Sequence, residues 1–533
     1  MVTEILSEAL AGALSHLGVE PPAEIHLERP ARREHGDWSS NVALATAKKA
    51  GQNPRELATA IAEHLNANPP QYVSEVSVAG PGFVNFFLDD AWLHQVLADV
   101  IAQGPEDFAR LDVGGGQAVN VEFVSANPNK PLHAGHARGA CFGDAVARLL
   151  ERSGFDVTRE SYLNDRGVQM TLFAESLVAR KEGAEPPEGG YLGAYVDQWA
   201  AEMPDDADPL EWGYARALAS HKDTLARVGI EFDVWFSERS MVESGAIDEA
   251  LGELDAKGMS YVDDGATWLK STEYGDDKDR VLVKSDGELT YLAPDIAYHR
   301  DKFSRAPKLI NIWGADHHGY MNRMMAAMQT LGHNPDDLEI IITQLVDLER
   351  DGEEVRMSGR AGDFVSFDEI IDDVGPDVTR LMYLMQSVDT RQTIDLDEVS
   401  NKAADNPVFY VQYANARIHS TIKNAADKGH TAKPIAEVDL SLLTHERELD
   451  LLRAISTLPE TVEHSARERS PHTIAAWARE LAAAFHGFYH DCYVVGDGVS
   501  DELTQARLAL LDATLIALAV CFDLLGVSAP ESM

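Results

Sequence analysis

Ser125-Ala-Asn-Pro-Asn-Lys130-Pro-Leu-His133-Ala-Gly-His136 sets the architecture of this chain. Val119 to Val124, just before it, places Val and Phe around the polar Asn120 and Glu122, a short β-rich run suited to a buried parallel strand. Pro128 and Pro131 each lack a backbone donor and have a fixed φ, so the chain must turn after that strand. From Ala137 onward Ala140, Val146, Ala147, Leu149 and Leu150 recur at helical spacing until Ser153-Gly154 ends the pattern. Strand, loop and helix therefore follow one another, with two imidazoles and a glycine where the helix begins. A helix N-terminus exposes unpaired N–H groups and the positive end of its dipole, which suits a polyphosphate. Gly135, lacking Cβ, lets a nucleotide lie against the backbone. His133 and His136 can donate to phosphate oxygens as charge grows on them. Taken alone, a His-x-x-His pair is equally a surface pair or half of a metal site.

The strand-like run Asp156 to Tyr162 follows, then Asn164-Asp165-Arg166-Gly167 and another helical pattern. This is the βαβ alternation of a doubly wound sheet, whose ligands sit at the carboxyl ends of the strands. Residues 180 to about 285 break the rhythm and read as an insertion between the two halves of the fold. At Thr290-Tyr291-Leu-Ala-Pro-Asp295 the core resumes, and as a bare string Asp295 reads as a helix cap. Leu309 to Trp313 is the next buried strand, ending at Gly314-Ala-Asp316-His317-His318-Gly319. A Gly-x-Asp turn there lets a carboxylate reach ribose hydroxyls, while the adjacent histidines alternatively suggest a metal. Ile340 to Val346 is the last expected strand, followed by Gly352-Glu-Glu-Val-Arg356-Met357-Ser358-Gly359-Arg360.

Further out, 533 residues are too many for one ordinary core, and a 45% hydrophobic content can build two to four domains. Residues 1 to 108 read as an α+β unit, with helical patterns at 3–17 and 41–66, and Gly114-Gly-Gly116 marks a linker. From 399 to 533 the spacing is that of a helix bundle. Cys141, Cys492 and Cys521 stand far apart with no Cys-x-x-Cys, which argues against disulfides and structural zinc and fits a reduced, cytoplasmic setting. Met1 to Leu17 carries Glu4 and Glu8 and no basic leader, so no secretory signal is expected there. Leu508 to Leu525 is interrupted by Asp512 and Asp523 and reads as a core helix, leaving no membrane partner expected. The formal charge of −43, from 45 basic and 88 acidic residues, opposes a nucleic-acid partner unless binding is confined to local basic patches. Arg29, Arg32, Arg33, Lys48 and Lys49 make one such neighbourhood.

The string from Val121 to His136 resembles the His-x-Gly-His region of class I aminoacyl-tRNA synthetases in its arginyl version. Glu34 to Asn41 and Gly80 to Leu88 are similar to that family's N-terminal appended domain, and the C-terminal helices to its anticodon-binding domain. The resemblance implies a Rossmann-type catalytic domain at 117–398 with the insertion at about 180–285, flanked by the appended domain at 1–108 and the all-α bundle at 399–533. It implies ATP-dependent ligation of L-arginine to tRNA through an arginyl adenylate, with Mg2+ accompanying ATP, by a monomer. Ser125, Ala126, Asn127 and His136 would hold the amino-acid backbone, and Glu238, Tyr291 and Asp295 the guanidinium, for which a carboxylate is the matching partner. His133, Gly135, His136, Gly314, Asp316, His317, Met357 and Ser358 would hold ATP. Arg356 and Gly359 stand where the Lys-Met-Ser-Lys-Ser loop has lysines, so the catalytic set is Lys130, His133, His136, Arg356 and Arg360, with Lys130 in place of the missing loop lysine. Another class I ligase, or a catalytically silent RNA-binding relative, remains the alternative.

Overall fold

The computed structural model describes residues 2–30, 32–355, 365–400 and 407–533. Its centre is a five-stranded sheet whose strands are all parallel: β1 (Ala118–Glu122), β2 (Asp156–Leu163), β3 (Val234–Ser237), β4 (Lys308–Gly314) and β5 (Leu338–Thr343). Their order is β3-β2-β1-β4-β5. The winding reverses between β1 and β4, and a doubly wound sheet binds its ligands in the crevice at that point. In register, Val121 lies between Ile310 of β4 and Arg159 of β2.

Asn120 and Glu122, the polar residues of the β1 run, are buried and paired. Asn120 donates to Glu160 at 2.7 Å, and Glu160 in turn accepts from Arg305 at 2.6 Å. Glu122 meets the fully buried Lys302 at 2.5 Å. A buried carboxylate keeps its charge only with such a partner. The helix after the loop, α1 (Ala134–Arg152), lies close against the sheet because Gly143 has no side chain: a Cβ there would sit 2.4 Å from the Phe123 ring.

Helix α1 starts at Ala134 with His133 as its cap, so the two imidazoles and the glycine stand where it begins. Two expectations need correction. The run Ile340 to Val346 is not one strand. β5 stops at Thr343, and Val346–Arg350 joins a second sheet, antiparallel to Glu353–Val355 and parallel to Gln392–Asp395. The break falls at Gln344, whose carbonyl is taken by the buried Arg138. The stretch 180–285 does not stand wholly outside the nucleotide fold. It supplies helices α2 (Ala194–Glu202) and α3 (Pro209–Arg227) and a small antiparallel sheet of residues 260–263, 266–269 and 280–283, but also β3, an edge strand of the central sheet. Helix α4 (Leu292–Arg305) then leads into β4.

The described chain divides into two compact units. The central sheet belongs to the unit made of Pro105–Ser420, Thr457–Ala483 and Ala517–Met533. The other unit comprises Met1–Gly104, Thr421–Ser456 and Ala484–Ile516. In it a four-stranded antiparallel sheet packs on helices Val2–His16, Val42–Ala50 and Pro54–Ala67 around Leu6, Leu10, Ile61 and Phe86. The single helix expected over 41–66 is two helices. Gly51 takes the left-handed conformation (φ 67°) and Asn53 caps the second helix just before Pro54. The basic neighbourhood in this unit is largely met by its own chain. The Arg29 guanidinium lies over Trp38 at 4.5 Å, Arg32 pairs with Glu34 at 3.4 Å, Arg33 with Asp450 at 3.4 Å and Lys49 with Glu20 at 2.5 Å. Of the C-terminal helices, Asp501–Leu525 is long and apolar enough to cross a membrane, and 72% of its most apolar window is buried inside the protein.

Candidate active site

At the carboxyl end of β1 the chain turns through Val124 with φ of 55°, a rare conformation for a β-branched residue, held in part by Ser161 donating to the Val124 carbonyl at 2.9 Å. Ser125, Ala126, Asn127 and Lys130 then line a cavity of about 170 Å³ together with His133 and His136. Both imidazoles are fixed by the helix start. The Gly135 N–H donates to His133 Nδ1 at 3.1 Å and the His133 N–H to His136 Nδ1 at 3.2 Å, with the ring centres 3.8 Å apart. A neutral ring that accepts at Nδ1 carries its proton at Nε2. Burial, helped by the Lys130 charge, lowers His133 to a pKa of about 4, and burial with its cationic neighbours holds His136 well below its ordinary value. Near neutral pH both rings are thus uncharged Nε2–H donors. Burial also lowers the Lys130 ammonium.

The sequence reading missed one wall of this cavity, His221 of α3. Gly213, Ala217, His221 and Leu225 are all buried, one helical turn apart. A histidine in such a stripe was the available signal.

A second cluster lies next to the first and is acidic. Glu122 accepts from Ser125 Oγ at 2.7 Å while holding Lys302, and Lys302 also donates to Asn311 at 2.7 Å. Asp295, in the first turn of α4, does not cap the helix. Its carboxyl accepts from the Tyr320 hydroxyl at 2.5 Å. Burial pushes Asp295 up to about 7, against the Tyr320 hydrogen bond, with Glu122 and Glu238 adding to the rise. Glu238, just past β3, is also raised by burial although it bonds Tyr162 and lies 3.6 Å from Arg166. Tyr162 is raised by burial and by the Glu238 and Asp295 charges. Two carboxyl groups held toward their protonated forms by burial, Asp295 and Glu238, make a place for a cation. Tyr291 does not join them here; it is 88% exposed at the residue before α4.

The two clusters thus have opposite chemistry, Lys130 and imidazole donors in one and Glu122, Glu238 and Asp295 in the other, and the Ser125 hydroxyl joins them by its hydrogen bond to Glu122. Beyond β4, Gly314 leads into a turn of 3-10 helix, and the exposed His317 lies 5.8 Å from the Trp313 ring. The Asp316 side chain lies outside the described part, as do Arg356, Met357, Ser358 and Arg360. The segment following those four is anchored to the helix start: Ala134 N–H donates to the Val365 carbonyl at 3.0 Å and Phe367 N–H to the Leu132 carbonyl at 2.8 Å. Among the described residues no group of His, Cys, Asp or Glu converges as a metal site.

The chain and its fold have counterparts among known proteins. Residues 101–188 and 211–424 match the family model "tRNA synthetases class I (R), catalytic domain", which places the chain among class I aminoacyl-tRNA synthetases. Residues 2–88 match the "Arginyl tRNA synthetase N terminal domain" and 411–533 the "DALR anticodon binding domain". The arginine–tRNA ligase of Moorella thermoacetica is 44% identical over 98% of this chain and 97% of its own length, and that of Geobacillus thermodenitrificans 43% over 99% of both. The solved arginyl-tRNA synthetase of Thermus thermophilus shares the fold, with a TM-score of 0.76 and 23% identity over 100% of both chains. The chain belongs to the arginyl-tRNA synthetases.

Proposed function

We propose that this chain ligates L-arginine to its tRNA in two steps. The arginine carboxylate attacks the α-phosphorus of ATP, pyrophosphate leaves, and the adenylate is transferred to the terminal adenosine of tRNA. The observation that carries the reading is the adjacency of a cationic, imidazole-lined cavity and an acidic cluster at the carboxyl edge of the sheet. Asp295 and Glu238 would accept the guanidinium, whose rigid fork matches carboxylates bidentately, while lysine offers only a point charge on a flexible stem. Ser125, Ala126 and Asn127 would hold the amino-acid backbone. His133 and His136, through Nε2–H, and the Lys130 ammonium would stabilise charge developing on the phosphates, a reaction that needs positioning and charge rather than an enzyme nucleophile. Gly135, Gly314, Asp316 and His317 would bind the nucleotide, with Arg356, Met357, Ser358 and Arg360 contributing from the loop, and Tyr291 would have to turn in from solvent to meet the substrate. Mg2+ would arrive with ATP. The domain limits 1–108, 117–398 and 399–533, a monomer and a cytoplasmic location belong to the same reading.

Aminoacylation of mixed tRNA with each amino acid in turn tests it. Arginine alone should charge, and a higher kcat/KM for another amino acid would overturn the assignment. Asp295→Asn should lower kcat/KM for arginine by about tenfold to a hundredfold while ATP binding persists, because it leaves a charged donor poorly matched in a buried site. A catalytically silent relative would give no ATP–pyrophosphate exchange even with tRNA present.

A further inference from the structure

We propose that His221 is a positioning residue that acts through Lys130. Its ring is 2% exposed, and its Nε2 lies 2.8 Å from the Lys130 carbonyl. A carbonyl only accepts, so the ring donates there. One residue earlier, the Tyr195 hydroxyl of α2 donates to the Asn129 carbonyl at 3.3 Å. Two helices therefore hold two consecutive carbonyls of the turn that ends in Pro131.

Those carbonyls belong to the two peptide planes on either side of the Lys130 Cα. Because each peptide unit is planar, fixing both oxygens fixes φ and ψ at Lys130 and hence the direction in which its side chain leaves the backbone. Lys130, His133, His136 and His221 line the same cavity, so the side chain starts beside the imidazoles. The ordinary role of a buried histidine, filling a helix face, would not require its ring nitrogen to meet this particular oxygen. Burial holds the His221 pKa at about 4, so the bond is that of a neutral ring and carries no proton during the reaction. Tyr195 lies in 189–210, between the two segments matched by the catalytic-domain model, so this half of the clamp comes from a stretch the family description does not cover.

The proposal rests on the reading of Lys130 as the cation for the departing pyrophosphate, and a mutant cycle separates the two. The assay is arginine-dependent ATP–pyrophosphate exchange by the full chain with tRNA present. His221→Leu should lower kcat by roughly tenfold or more, since small misplacements of a reacting group are costly, while KM for arginine stays within about twofold. His221→Gln, which keeps an N–H donor at a similar reach, should return kcat to within about threefold of the parent. In a Lys130→Ala background, His221→Leu should cost less than about twofold more, because groups acting through one another are not additive. A full multiplicative loss in both backgrounds, or a His221→Gln as impaired as His221→Leu, overturns the positioning role. Parental exchange by Lys130→Ala alone overturns the reading beneath it. Should His221→Leu fail to fold, Tyr195→Phe runs the same cycle, with the same non-additivity expected and the same multiplicative result refuting it.

Discussion

Lowering the pH from 8 to 6 should weaken arginine binding to the free enzyme by about tenfold. Burial pushes Asp295 up to about 7, outweighing the Tyr320 hydrogen bond, and the Glu122 and Glu238 charges add to the rise. The guanidinium pairs with the ionised form only, so binding releases the proton and grows stronger as pH rises through 7. The fraction unavailable raises the apparent Kd by a factor of about 11 at pH 6 and about 1.1 at pH 8, a ratio of about ten. Burial holds His133 and His221 near 4, and His136 and His299 well below their ordinary values, so they stay neutral through this range. Calorimetric titration with arginine at both pH values, repeated at pH 7 in two buffers of different ionisation enthalpy, should show the affinity change and the release of about half a proton. Equal Kd at pH 6 and 8 with no buffer dependence would refute the reasoning. Asp295→Asn should bind weakly and lose the part of the pH dependence that is centred near 7.

Lys302→Met leaves Glu122 buried without its cation and should lower stability by about 3 to 5 kcal/mol, read as a fall in denaturant midpoint, with Glu122→Gln added to Lys302→Met recovering part of it. An unchanged midpoint in the single mutant would show that the pair is dispensable. Gly143→Ala would bring a methyl to 2.4 Å from Phe123 and should cost about 1 to 3 kcal/mol; a Tm equal to the parent's contradicts the close packing. Because Arg32 and Arg33 are already engaged by acids, tRNA affinity should fall only shallowly with salt, and reversing both charges should weaken tRNA binding without touching ATP binding. Unchanged tRNA affinity in that double mutant assigns the N-terminal sheet another role.

The strand-loop-helix unit was legible because its two periods differ and two prolines separate them. The capping role of His133 was not, since a histidine that caps through Nδ1 lies outside the usual Ser, Thr, Asp and Asn set. Ile340 to Val346 is unbroken by composition, and the bend at Gln344 depends on distant partners, Arg138 at its carbonyl and the Val388 carbonyl at its N–H. Tyr291 and Asp295 stand close in sequence, yet one faces solvent and the other meets Tyr320. The positive φ of Val124 and the His221 bond to a backbone carbonyl have no residue-type signature at all, because both depend on what a remote element supplies.

The opposed charges of the two clusters give the site a direction as well as a shape. Arginine carries its guanidinium and its carboxylate at opposite ends, so inserted head first it finds a partner at each, and inserted backwards it meets like charge at both. A molecule with the guanidinium but no carboxylate would be anchored at a single end and free to pivot about it. When the carboxylate of arginine becomes a mixed anhydride with the α-phosphate its own charge is lost, but the phosphoryl oxygen brings a negative charge to the same end, so activation passes the alignment from one anion to another.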